Sequence, residues 1–108
     1  MTEDYGKEIV QRITRNLLDI QILRLIRIQP MWGYKIKKQA ETRFGVKLRH
    51  GALYPLLNTL EKKGFLTSQR QQQKGRTRKV YTITKKGREY TETYESVLKE
   101  QLECKDIT

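Results

Sequence analysis

The sequence predicts a mostly α-helical fold carrying one small β-hairpin, and three observations lead there. The 108 residues suffice for one domain with a modest core. Apolar residues recur at intervals of three or four through four stretches punctuated by Pro30, Gly45 and Gly64. Between Phe65 and Thr84 that period gives way to β-branched and aromatic residues on either side of a Gly-containing loop.

The elements follow in chain order. Ile9, Ile13, Leu17, Ile20 and Leu23 mark one helix from Glu8 to Ile28, and Leu18, Ile22, Leu25 and Ile26 widen its stripe enough for burial on more than one side. Pro30 stops it, because the ring removes a backbone donor and biases the preceding residue toward extended geometry. A turn through Met31, Trp32 and Gly33 leads to a second helix over Tyr34 to Phe44, with Ile36, Ala40 and Phe44 on one face and Gly45 at its left-handed end. A third helix runs from about His50 to Lys63 on Leu53, Leu56, Leu57 and Leu60. Pro55 requires its start near Arg49 or His50, where a missing donor costs little. The hairpin follows, its tip carrying Lys74, Arg76, Arg78 and Lys79. Thr84 caps a last helix from Lys85 to Glu103, about 28 Å long. Tyr34 and Tyr81 are expected in the core, with hydroxyls reaching the surface.

Charge sorts these elements by task. The net charge of +11 divides into +1, +5, +1, +8 and −4 over residues 1–30, 31–50, 51–66, 67–88 and 89–108. No acidic residue lies between Glu61 and Glu89, whereas ordinary protein surfaces mix signs, so this stretch points to a polyanion. The acidic last helix would be repelled by phosphate and must face elsewhere. Its stripe of Tyr90, Tyr94, Val97 and Leu98 packs on its own domain or, as is commoner for a long helix after a complete small domain, on a partner chain.

Two helices joined by a tight turn, then a hairpin with a cationic tip, is the order of a winged helix-turn-helix. A helix fits the DNA major groove, and a hairpin tip reaches phosphates or the neighbouring minor groove. Lys47 and Arg49 precede the third helix and His50 opens it, while Tyr54 and Asn58 follow at intervals of four on one face. The leucines occupy the other face. Trp32 either covers the end of the first helix or walls a pocket for a small apolar effector.

Here the chain resembles the PadR-like winged-helix transcriptional regulators. The resemblance rests on Trp32-Gly33-Tyr34-Lys35-Ile36, on Gly51-Ala52-Leu53-Tyr54-Pro55-Leu56-Leu57 with Leu60 to Leu66, and on Gly75 to Thr84 with Gly87, covering roughly Leu17 to Tyr94. It implies a homodimer on a pseudo-palindromic operator, usually as a repressor, with the C-terminal segment supplying most of the dimer contact. Carried onto this chain, the DNA surface comprises Lys47, Arg49, His50, Gly51, Tyr54, Pro55 and Asn58 with Lys74, Arg76, Arg78 and Lys79 of the wing. The dimer surface comprises Tyr90, Tyr94, Val97 and Leu98, joined by Ile9 and Ile13 of the first helix. The expected division is residues 1–84 for DNA binding and 85–108 for a dimerisation helix and tail, the short form of the family. This chain departs from the family at Arg49, where a small hydroxyl residue is common and the helix cap is thereby altered, and at Ala52, where Thr is usual.

Other classes fit poorly. One cysteine, Cys104, and one histidine, His50, leave no Cys/His zinc set and no internal disulfide, in keeping with a reducing compartment. Paired catalytic carboxylates and a phosphate-cradling Gly loop are missing, so neither enzyme activity, a metal nor a cofactor is expected. The most apolar stretch, Leu17 to Ile28, carries Asp19, Arg24 and Arg27, which argues against a membrane span. The acidic N-terminus lacks the apolar core of a signal peptide, and the cytoplasm is the expected location. The main alternative is an architectural or chromatin-type protein that coats double-stranded DNA with little regard to sequence.

Overall fold

The structure, a computed structural model, describes residues 4–45 and 47–104, and of His50 and Gln73 the backbone alone. Among the described residues the elements are α1 (Tyr5–Asn16), α2 (Leu18–Ile28), β1 (Met31–Trp32), α3 (Gly33–Phe44), α4 (His50–Lys62), β2 (Leu66–Gln73), β3 (Arg76–Ile83) and α5 (Lys85–Glu103). The three strands form one antiparallel sheet in the order β1-β3-β2. This is the helical fold with a small sheet that the sequence predicts, with two corrections to its elements.

The expected single N-terminal helix is two helices, broken at Leu17 (φ −112°, ψ 26°). In a continuous helix the Ile20 N–H would bond to the Asn16 carbonyl. Here it donates instead to the Asp19 carboxylate at 2.8 Å, removing that rung of the ladder. Thr14 adds a back-bond from its hydroxyl to the Val10 carbonyl (2.8 Å), of the kind that bends helices.

The second correction is a third strand. Met31 and Trp32 pair with Tyr81 and Val80, and Met31 is buried. Two residues are too few to show any period-2 alternation, so the segment reads as a turn in sequence. Within the hairpin, the polar run Gln69 to Gln73 is paired residue by residue with Val80 to Arg76. Ladder bonds to β3 satisfy the backbone groups of β2 that face it whatever the side chains are, and the side chains of Gln69 to Gln72 lie exposed.

The core is one cluster in which Ile22, Leu23 and Ile26 of α2 meet Ile36 and Ala40 of α3, Leu53, Leu57 and Leu60 of α4, and Leu66, Tyr81 and Ile83 of the sheet. Tyr81 lies in the core as expected but is interior as a whole, its hydroxyl included, whereas Tyr34 is 45% exposed. Pro55 lies in the second turn of α4, beyond the first turn where a proline is cheapest, and is exposed.

α5 begins where α4 ends. The Thr84 hydroxyl accepts from the Gly87 N–H (2.9 Å) and donates to the Gly64 carbonyl (2.6 Å), and the Thr84 N–H bonds to the Phe65 carbonyl (3.0 Å). A β-carbon on Gly87 would collide with the Phe65 backbone and with Ile83 (2.8 Å), so only glycine permits this approach. Further along, Tyr90 stacks on Phe65 with ring centroids 4.2 Å apart, and Glu95 accepts two bonds from Arg27 of α2 (2.8 and 3.1 Å) beside Arg24 (3.1 Å). The Arg27 hydrogen bond and the two positive charges hold the Glu95 carboxyl below the usual range, against a smaller opposing effect of burial.

Candidate nucleic-acid interface

α4 has two unlike faces. Leu53, Leu57 and Leu60 are buried, whereas Gly51, Tyr54, Pro55 and Asn58 are exposed, so the side expected to read DNA is the open one. Leu48 is buried and anchors the approach to the helix, leaving Lys47 and Arg49 exposed on either side of it. Arg49 occupies the N-cap and makes no side-chain cap bond, the outcome expected from a cation in place of a small hydroxyl. The backbone of His50 opens α4, and its side chain lies outside the described residues.

Tyr54 is 38% exposed, and its ring leans over Gly33 at the start of α3. A β-carbon there would stand 2.5 Å from the Tyr54 hydroxyl oxygen and 2.8 to 2.9 Å from its ring carbons. Gly33 is therefore the seat of a side chain from the open face of α4, a role invisible to periodicity. The available signal was a glycine opening a helix, where Ser, Thr, Asp or Asn would be usual just before it.

The wing is tighter and longer than expected. Lys74 (φ 50°) and Gly75 (φ 78°) alone form the turn, the two-residue type whose left-handed pair matches strand twist. Lys74 and Arg76 stand exposed at the tip. Arg78 and Lys79, predicted at the tip, lie further down β3 and point to opposite faces. The guanidinium of Arg78 stacks on Trp32, its carbon 3.5 Å from the ring centroid. Lys79 pairs with Glu61 of α4 at 3.4 Å.

Glu61 also accepts a 2.5 Å bond from Ser68 of β2, so one carboxylate near the end of α4 holds both strands of the wing. The Ser68 bond is the larger cause of its lowered pKa; burial opposes and Lys79 assists. Neither Glu61 nor Ser68 figures among the predicted site residues, since an acidic residue in a basic protein carries no sequence mark of contact with a strand seven residues on.

Residues 22–93, two thirds of the chain, match the profile of the transcriptional regulator PadR-like family. The chain belongs to that family. A PadR family transcriptional regulator from Eggerthella lenta superposes with a TM-score of 0.79 at 26% identity, covering 93% of this chain and 88% of that one. A PadR family regulator from Clostridium difficile gives 0.74 at 27%, covering 81% and 92%. Bacillus subtilis PadR, solved in complex with operator DNA, gives 0.67 at 28%, covering 72% of this chain and 46% of that one. The sequence matches no curated protein.

Against this PadR-like background the remaining predicted residues divide by element. Ile9 and Ile13 on α1 are 51% and 47% exposed, with Val10 open beside them. On α5, Tyr90 and Tyr94 are half-buried against their own core and meet edge to face at 5.9 Å, so the lower part of the stripe serves the chain's own fold. Val97, 48% exposed, and half-buried Leu98 continue that line outward into an apolar groove with Thr93. Among the described residues no helix is long and apolar enough to cross a membrane, and no group of three acidic, Cys or His residues could hold a metal ion.

Proposed function

We propose that this PadR-like chain is a cytoplasmic, non-enzymatic transcriptional repressor that binds a pseudo-palindromic operator as a homodimer, with α4 in the major groove and the wing on the flanking backbone. One observation carries the reading: the open face of α4, with Tyr54, Pro55 and Asn58, is locked through Glu61 to a wing whose tip presents Lys74 and Arg76. Lys47, Arg49, His50 and Gly51 complete the DNA surface at the start of the helix. Base contacts belong to α4 and phosphate contacts to the wing, the usual division between specifying and positioning. Residues 1–84 form the DNA-binding unit, and Tyr90, Tyr94, Val97 and Leu98 of α5 join Ile9 and Ile13 of α1 in the dimer contact. Two-fold symmetry then sets the two α4 helices about 34 Å apart, one helical turn of DNA.

Selection of bound fragments from random duplex DNA, followed by footprinting, tests this. A discrete inverted repeat with half-sites one turn apart is expected, and placing it upstream of a reporter should lower expression. The dense positive charge also favours a second reading, an architectural protein that coats DNA without sequence preference. Uniform weak protection, lost to excess bulk DNA, would decide for that reading.

A further inference from the structure

The wing sorts its cations onto two sides. Lys79 faces α4, where Glu61 neutralises it. Arg78 faces away, on the side shared with Val80 and its cross-strand partner Trp32. On that side the Arg78 Nε and Nη1 are shielded from solvent, yet neither has a hydrogen-bond partner among the described residues. Both wing strands are free of acidic residues. Charged donors left without an acceptor are costly, and a stacked guanidinium with idle N–H groups is a ready anion receptor.

Trp32 and Tyr34 stack at 5.3 Å, and together with Arg76, Thr77 and Arg78 they line a cleft. The residue between the two aromatic rings is Gly33, on which Tyr54 of α4 rests. The cleft therefore reaches the wing tip at Arg76, and the glycine between its two aromatic residues in sequence is the one that touches α4. In the docking proposed above, with α4 in the major groove and the wing on the flanking backbone, this cleft lies between the two contacting elements.

We propose that this cleft seats a backbone phosphate of the bound duplex, contacted by Arg78 and Tyr34, with Trp32 as the positioning residue that holds the Arg78 guanidinium in place. The proposal rests on the DNA-binding reading above and adds two residues to it, Trp32 and Tyr34. The contact is sequence-independent and fixes the register of the recognition helix.

Trp32 is the sole tryptophan of the chain, so its emission reports on the cleft directly. The test titrates the full-length protein with a duplex recovered by selection and with a scrambled duplex of equal length. Both should quench Trp32. R78A and W32A should each weaken both duplexes about tenfold and reduce the slope of log K against log salt by about 0.9 per phosphate, or roughly 1.8 per dimer. W32F, which keeps a stacking face, should restore most of the slope, whereas R78K, which keeps the charge but not the planar fork, should restore less. Should W32A fold poorly, R78A and W32F carry the comparison. A wild-type slope in R78A, alongside a reduced slope in R76A, would overturn the phosphate seat and leave the regulator reading intact. Quenching by benzoate or inorganic phosphate, with DNA affinity untouched in R78A, would overturn it in favour of a pocket for a free anion. If the wild-type protein binds neither duplex, both readings fall.

Discussion

Replacing Gly33 with Ala should destabilise the protein when Tyr54 is present and stabilise it slightly when Tyr54 is absent. The new β-carbon would stand 2.5 to 2.9 Å from three atoms of the Tyr54 side chain, where ordinary contact begins near 3.4 Å, so the ring must move by about half an ångström or more. Overpacking of this kind costs roughly 1–3 kcal/mol. Gly33 does not have the positive φ of Gly45, Gly64 and Gly75, so alanine is otherwise compatible and gains about 0.4–1 kcal/mol by restricting the unfolded chain. The net loss is then about 1–2 kcal/mol. With an unfolding entropy near 2.1 cal/mol/K per residue, about 0.23 kcal/mol/K for this chain, the melting temperature should fall by about 4–9 °C. In a Tyr54→Ala background the collision disappears and the same substitution should raise the melting temperature by about 2–4 °C. Thermal unfolding followed by circular dichroism, on all four proteins at one fixed concentration, measures the coupling. Equal cost of Gly33→Ala in both backgrounds would show that Tyr54 does not rest on Gly33.

Three further outcomes are expected. Glu61 and Glu95 both titrate below their ordinary value, so the unfolded chain binds more protons in acid; their stabilisation is full above about pH 4.3 and fades as pH falls through the lowered values. Urea midpoints from pH 2 to 6 should accordingly show a shallower acid limb in an E61Q/E95Q double variant, and an unchanged limb would remove both pairs from the account. Arg76→Ala should weaken binding to every DNA sequence and lower the salt slope by about 1.8 per dimer, measured by fluorescence anisotropy; a loss confined to one sequence would make it a base contact. Val97→Asp, at an exposed position outside the intrachain core, should give monomers by sedimentation, and an intact dimer would place the interface elsewhere.

Much of this was legible in the sequence because burial leaves a period. The leucines of α4, the left-handed Gly45, the Thr84 cap and the bounds of α5 all follow from spacing and local chemistry. The missed features were set by tertiary contact or by single hydrogen bonds. The break at Leu17 turns on one carboxylate taking one amide, within a stripe that continues through it. β1 exists because β3 offers an edge to two residues that carry no pattern of their own. At the site, the cationic count of the wing was visible, but its partition was not. Arg78 and Lys79 are adjacent in sequence, and alternation sends one to Trp32 and the other to Glu61.

The junction between α4 and α5 has a mechanical consequence. Thr84 bonds the start of α5 to Gly64 and Phe65, immediately after α4, and Lys86 adds a bond to the Lys63 carbonyl at 2.9 Å. α5 is thus a rigid arm about 28 Å long, rooted at the end of α4 and tied further along to the core by Tyr90 and to α2 by Glu95. Tilting it by about 5° displaces its far end by about 2.5 Å, given that length. In the homodimer proposed above, whatever fixes the far ends of two such arms would also fix the angle between the two α4 helices. On that reading, substitutions at the distal turns of α5 would retune half-site spacing without touching the exposed face of α4.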